Sequence, residues 1–357
     1  PSKKFKHYGS FVKNTKEELE ELGYQVDLAV KRKNISFPAK FVGYSWMYIQ
    51  AIFKSLFYSY DYYYVHFVAQ STYCVLFGTV TGKTKLVCNV HGNDIVPDYD
   101  FEKKNVKRGH IVLPFADIVV APSKYFEEVL INEYHIPKEK IKIYPSGGIN
   151  FEIFQEKDQK ACQQKLNLDP KYTYIGMVSR IEKNKGWDTL LDALNEVKKE
   201  PFMKNIKVII VGTGKEQPEM DQKIKKYHLE EKIIQKEFVL QKDLVDYYNA
   251  FDVFIFLTKR KSESLGLVGL EAMACKTFVI ACNLYGPKEY VIDKENALTY
   301  QDTANGKDLA SKIKEFMNMK KKKKKKIINK AYETAKKYDV TKLQDKLADI
   351  FTKKKED

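Results

Sequence analysis

Val253-Phe254-Ile255-Phe256-Leu257-Thr258-Lys259-Arg260-Lys261-Ser262-Glu263-Ser264-Leu265-Gly266-Leu267-Val268-Gly269-Leu270-Glu271 is the stretch on which the fold turns. Its first five residues are β-branched, aromatic or aliphatic and predict a strand, Thr258 to Ser262 is a polar turn, and residues 264–274 carry a helical period. The order is strand, loop, helix. A helix entered from such a loop turns its first, unpaired backbone N–H groups towards the loop, where their partial positive charge suits a phosphate. Gly266 is expected to let a ligand approach the backbone closely. Glu263 and Glu271 stand eight positions apart, which is about 12 Å along a helix axis at ~1.5 Å per residue. One carboxylate then precedes the anion site and the other follows it, a layout that suits hydroxyls on either side of a diphosphate. The competing reading of two Glu at this spacing is solvated helix surface.

Outward from this stretch the same alternation repeats. Towards the C-terminal half, strand-like runs at residues 172–178, 206–211, 253–257 and 278–281 alternate with helical runs at 187–198, 216–227, 242–249 and 264–274. In the first half, a helical run at 11–22 ends at Gly23, and strand-like runs follow at 26–30, 62–66, 86–90, 118–121 and 141–144, with a helical run at 124–134. Repeated βα order implies parallel sheets with helices on both faces. The run Pro145-Ser146-Gly147-Gly148-Ile149-Asn150 interrupts the pattern and reads as a hinge. The expected architecture is α/β, with two doubly wound, Rossmann-like domains facing a central cleft. The domains are 1–148 and 149–335, and a C-terminal helix in 336–357 crosses back to the first. The first domain lacks a strand ahead of its first helix, so a further apolar segment upstream of Pro1, or another element in that slot, is expected.

Composition bounds the class. The chain has 357 residues, 44% hydrophobic and 31% charged, enough for two ordinary cores. No run of about 18 apolar residues and no secretory leader is visible, so a cytoplasmic protein, at most on the inner face of the cell membrane, is expected. The five cysteines are scattered, with no Cys-x-x-Cys pair, which disfavours disulfides and structural zinc. The net charge of +15 is uneven: Lys and Arg against Asp and Glu number 20 to 15 in residues 1–150, 24 to 24 in 151–302, and 18 to 8 in 303–357. Lys320 to Lys326 form an unbroken run that reads as a solvated helix face or as a contact for anionic lipid. No interleaved aromatics favour nucleic acid there.

Four further groups of residues carry chemistry. Arg180 follows a strand-like run and Lys185 precedes Gly186 at the next helix, so two cations stand at one strand end, where they can neutralise a diphosphate. Val90-His91-Gly92-Asn93-Asp94 follows another strand, and His91 can donate a hydrogen bond or move a proton near neutral pH. His66 ends a third strand, and Gly9-Ser10 opens the first helical run. Together with Glu263 and Glu271, these runs resemble the motifs of glycosyltransferase family 4, retaining enzymes of the GT-B fold. Ser179 here replaces the glycine of the family's Gly-Arg-(four residues)-Lys-Gly element. By that resemblance His91, Arg180, Lys185 and Glu263 are catalytic. Gly9, Ser10, Arg180, Lys185, Glu263, Gly266, Leu267, Val268 and Glu271 bind the donor, with Glu263 on sugar hydroxyls and Glu271 on the ribose diol. His66 and Asp94 lie on the acceptor side. The likeness extends through residues 116–123, Val211-Gly212-Thr213-Gly214 and residues 283–289.

The resemblance implies retaining transfer of a sugar from a nucleotide-sugar, UDP- or GDP-linked, to a hydroxyl of a glycan or lipid-linked acceptor, in the synthesis of a cell-surface polysaccharide or glycoconjugate. Neither metal nor cofactor is expected. The aromatic residues of 41–64, with Trp46, Lys40 and Lys54, read either as a face towards a membrane-borne acceptor or as ordinary core. Two other classes compete: a catalytically idle nucleotide-sugar-binding protein and a basic nucleic-acid-binding protein. Three look-alikes are set aside. The glycines of Gly78-Thr79-Val80-Thr81-Gly82-Lys83-Thr84 are one residue too close for a phosphate loop, Gly212-Thr213-Gly214-Lys215 lacks the Ser or Thr for magnesium, and Asp98-Tyr99-Asp100 mimics a metal motif of the GT-A class.

Overall fold

A computed structural model describes residues 9–31, 36–80, 84–145, 147–237 and 239–351. Ser146 of the hinge and Thr81, Gly82 and Lys83 of the phosphate-loop look-alike lie outside the described residues. The chain divides into two compact units, residues 1–147 with 341–357, and residues 148–340.

The first unit holds a four-stranded parallel sheet in the order β1-β2-β3-β4, with β1 at Tyr62–His66, β2 at Lys85–Asn89, β3 at Ile118–Ala121 and β4 at Ile141–Ile143. One sheet face packs Leu86, Cys88 and Val119 against Phe126 and Leu130 of the helix Lys124–Asn132. The other packs Val87 and Val120 against Leu19 of the helix Ser10–Glu21 and Leu343 and Leu347 of the helix Val340–Phe351. Among the described residues, no strand pairs with the outer edge of β1. The strand expected at 26–30 is not formed; residues 24–31 are irregular. Val26 and Ala29 still pack on the core clusters of the unit. A strand exists only through a neighbour's backbone N–H and C=O groups, and side-chain burial here proceeds without such a neighbour.

The second unit holds a six-stranded parallel sheet. Its strands are β5 (Thr173–Val178), β6 (Ile206–Val211), β7 (Ile233–Lys236), β8 (Val253–Phe256), β9 (Phe278–Cys282) and β10 (Leu298–Tyr300), in the order β10-β9-β8-β5-β6-β7. β8 and β9 are buried along their whole length, because helices cover both faces of a parallel sheet. Ile175, Met177, Val253 and Ile255 fill one side; Tyr174, Phe254 and Phe256 fill the other. The chain runs outward from β5 through β6 to β7, then returns to place β8 on the opposite side of β5. That reversal is the switch point at which open α/β sheets bind ligands, outside the carboxyl ends of the strands. Among the described residues, no helix is long and apolar enough to cross a membrane.

Candidate active site

The switch point of the second unit gathers the cation loop after β5 and the Glu263 loop after β8. The two are tied through backbone: Lys259 N–H donates to the Asn184 carbonyl at 2.8 Å. Gly186, at φ +77°, packs so closely on Leu257 that a Cβ there would lie 2.9 Å from that side chain's Cβ. This brings Lys185 Nζ to 2.6 Å from Glu263 Oε2, in an ion pair with both side chains largely buried. Thr258 donates its hydroxyl to the same oxygen at 3.1 Å. Burial alone would raise the Glu263 carboxyl, but Lys185, with help from Arg260 and Thr258, holds it below the usual carboxylate range. Sequence reasoning named Lys185 and Glu263 separately, and their pairing is new. Thr258 was missed, since a Thr in a polar turn carries no signal of its own.

Glu263 lies in the loop, and the helix begins only at Leu267. The expectation of a helix from 264, with both carboxylates along one axis, is corrected accordingly. Gly266 is the reason: it sits at φ +80° as the N-cap, a left-handed conformation that ends any helix running back from it. A Cβ at Gly266 would lie 2.2 Å from the Phe256 ring, so the glycine is required by packing and backbone shape. The Gly266 carbonyl accepts from the Tyr290 hydroxyl at 2.9 Å, and Gly286 N–H donates to the Glu263 carbonyl at 3.2 Å. The loop is thus held from two neighbouring elements.

Glu271, inside the helix Leu267–Ala274, is buried and has partners of its own: Gln241 Nε2 at 3.0 Å on Oε1 and the Tyr248 hydroxyl at 2.8 Å on Oε2. Burial raises its carboxyl pKa, and the two hydrogen bonds only partly oppose this. Gln241 and Tyr248 had no sequence signal. The Arg180 side chain is exposed, with one guanidinium N–H on Glu182 at 2.8 Å. The Gly212 and Gly214 look-alike proves structural, since a Cβ at either would strike the backbone carbonyl of Ser179 or Ile181 at about 2 Å.

The first unit gathers a second cluster. β1 and β2 are neighbours with His66 beside Asn89 in register, so the loops after both strands meet. His66 Nδ1 lies 2.9 Å from His91 Nε2. Phe67, at φ +57°, stacks on His91 at 4.5 Å, and Phe11 packs on both imidazoles at 5.4 and 4.9 Å. Phe11 belongs to the helix that starts at Ser10, and Gly9 in the left-handed region caps that helix. The sequence-named His66 and His91 therefore come together beside Phe11, which follows Gly9 and Ser10 in the chain. Burial lowers both imidazoles, His91 to about 4, with His91 a second influence on His66. Asp94 is buried and accepts the backbone N–H groups of His91 and Gly92, both at 2.9 Å, and of Val68 at 3.3 Å. Its carboxylate thus shapes the His91 loop and ties it to the turn after β1. Burial raises it to about 6, against the pull of those N–H donors.

Two parallel α/β units with polar clusters at the carboxyl ends of their strands are the plan of the GT-B glycosyltransferases. The model of the glycosyl transferases group 1 matches residues 158–334, and that of glycosyltransferase family 4 matches residues 9–147. The chain belongs to this glycosyltransferase family. Among its relatives, mannosylfructose-phosphate synthase of Agrobacterium fabrum is 24% identical over 183 residues, 49% of this chain and 39% of the relative. The capsular polysaccharide biosynthesis glycosyltransferase CapM of Staphylococcus aureus is 27% identical over 206 residues, 56% of this chain and 52% of the relative. The chain thus spans about half the length, or less, of these curated relatives. Sucrose-phosphate synthase from Thermosynechococcus elongatus superposes with a TM-score of 0.80 at 18% identity, over 96% of this chain and 92% of that one. Anabaena HepE in complex with UDP gives 0.71 at 21%, over 85% and 81%. At such identities the likeness establishes the fold.

Proposed function

We propose that this protein transfers a sugar from a nucleotide-sugar to a hydroxyl of a glycan or lipid-linked acceptor, with retention at the anomeric carbon. The observation that carries the reading is the Lys185–Glu263 pair at the switch point of the second sheet, beside the N-terminus of the helix Leu267–Ala274. An ammonium has three donors. With one on Glu263, Lys185 keeps others for a diphosphate oxygen, and Arg180 and the backbone N–H groups of Leu267 and Val268 add to the same charge. The Glu263 carboxylate, kept ionised by Lys185, accepts from donor-sugar hydroxyls. Glu271 has about four lone-pair positions on its two oxygens; a ribose diol takes the place of the Gln241 amide on Oε1 while Tyr248 keeps Oε2.

In the transfer step the acceptor O–H attacks the anomeric carbon on the face from which the diphosphate departs. The new C–O bond forms as the C–O bond to phosphate breaks, and the hydroxyl proton passes to the leaving diphosphate. Fixed cations and amides stabilise the charge that grows on that group. A UDP- or GDP-linked donor fits the reading, which is supported by HepE having been solved with UDP and by the polysaccharide role carried in the name of CapM.

The test is a thermal-shift panel of nucleotide-sugars followed by product analysis. A donor at 100 times its dissociation constant adds about 2.7 kcal/mol, and the anomeric configuration of the product, read by NMR, checks retention. No shift with any nucleotide-sugar rejects the donor site; a shift without transfer to any acceptor favours an idle binder; an inverted product, or a trapped glycosyl-enzyme, rejects the same-face step.

A further inference from the structure

Among its described side chains the helix Phe37–Phe57 buries only Met47 and Ala51, which lie one turn apart on one side. At 100° per residue the opposite side carries Val42, Trp46, Ile49, Phe53 and Leu56, spaced 4-3-4-3. All five are more than half exposed, from 52% to 64%. A helix face directed away from a core is ordinarily polar. Here it is apolar, and of the sixteen large apolar side chains exposed among the described residues, ten fall between 41 and 58. The charge around this face is mainly positive: residues 27–61 contain Lys31, Arg32, Lys33, Lys40 and Lys54 against Asp27 and Asp61, and Lys54 is ion-paired with Asp27.

We propose that the outward face of the helix Phe37–Phe57 docks on an anionic lipid surface. The helix lies in the plane of the interface with Val42, Trp46, Ile49, Phe53 and Leu56 among the acyl chains and Lys31 and Lys40 at the phosphates. An apolar face with Trp and Phe, framed by Lys and Arg, is what an interfacial helix requires, and the helix is not apolar enough to span a bilayer. A second copy of the chain fits less well, because pairing these faces would bring one net-positive segment against an identical one. The lysine run is the weaker anchor: the Lys324 ammonium lies 3.7 Å over the Phe316 ring, Lys323 pairs with Glu315 at 3.9 Å, and the helix Lys321–Ala335 exposes no large apolar side chain. This inference does not depend on the donor-site reading.

The chain carries its own probe. Its two tryptophans are Trp46 and Trp187; Trp46 is 59% exposed and Trp187, at 4%, is in the core of the second unit. The experiment adds vesicles of phosphatidylcholine, with and without about one third phosphatidylglycerol, to the full chain. Expected are co-sedimentation and a blue shift of Trp46 emission with the anionic vesicles, loss of the shift in Trp46→Phe, and about tenfold less bound protein for Phe53→Glu/Leu56→Glu. Lys321→Glu/Lys322→Glu should bind nearly as the wild type. Quenching of wild-type Trp46 by brominated acyl chains gives the same answer without a variant. The proposal is overturned if the wild type stays in the supernatant, if brominated lipid does not quench it, or if the folded Phe53→Glu/Leu56→Glu protein binds as well as the wild type. A dimer in sedimentation that this variant splits, without vesicle binding, would assign the face to a second copy instead.

Discussion

At the scale of the residue, the consequential contact is the Lys185–Glu263 pair. Lys185→Met leaves a buried carboxylate with only the Arg260 charge and the Thr258 hydroxyl to hold it and should cost about 3 kcal/mol in urea unfolding, while adding Glu263→Gln to it should recover much of that loss. Because the Glu263 carboxyl is held low, the pair contributes fully above the unfolded carboxyl value of about 4.3 and is lost as the pH falls through the lower folded value. The histidine pair also makes the fold acid-sensitive, for a different reason. His66 and His91 are buried neutral with lowered pKa values, so the unfolded chain binds protons first and stability falls as pH drops from about 6.5 towards 4. Asp94, raised to about 6, works in the opposite direction over part of that range. The histidine contribution is therefore read as a difference: His91→Phe should have a flatter urea midpoint between pH 7.5 and 5 than the wild type. For ligand contact, Glu271→Gln should weaken nucleotide-sugar affinity at least tenfold, whereas Gln241→Ala should leave it equal or tighter by calorimetry, since the Gln241 amide competes for the same oxygen. His91, Lys185 and Glu263 were legible as candidates because an ionisable side chain in the loop after a strand is conspicuous, and Glu271 through its spacing of eight from Glu263. Their partners were not: Gln241 is 30 residues from Glu271 and Tyr248 is 23 away, and neither type of residue is unusual in a helix or loop.

At the scale of the element, glycines set the loop shapes that hold the site. Gly266→Ala combines a left-handed φ with a contact on the Phe256 ring, and should destabilise the second unit by at least about 1–2 kcal/mol. Phe256→Leu in the same chain should relieve only the steric part, which a double-mutant cycle of unfolding energies separates. The apolar run of β8 was readable because a strand covered on both faces is continuously apolar. The start of the following helix was misplaced by three residues, because periodicity in Ser264-Leu265-Gly266 looks the same whether Gly266 is helical or left-handed. Residues 26–30 show the converse: a strand-like pattern without a strand, since side-chain pattern is local and a ladder needs a neighbour.

At the scale of the whole molecule, each unit has its own sheet and core, and the chain returns at its end to complete the first. Leu343, Leu347, Ile350 and Phe351 pack with Leu19, Val87 and Val120. Residues 148–340 alone should therefore melt cooperatively, whereas residues 1–147 alone should melt lower than when supplied with the 340–351 helix, and circular dichroism of the two fragments checks both. What the amino-acid sequence determined unaided was the α/β class, the repeated strand and helix order and the residue types placed after strands, because these rest on short-range periodicity and on loop chemistry. What only the tertiary structure decided was pairing: that β8 returns to the far side of β5, that Lys185 meets Glu263, that His66 meets His91, and that one face of the helix Phe37–Phe57 is left uncovered. A side chain's partner and its burial are set by the packing of segments distant in the chain, and no local pattern encodes that.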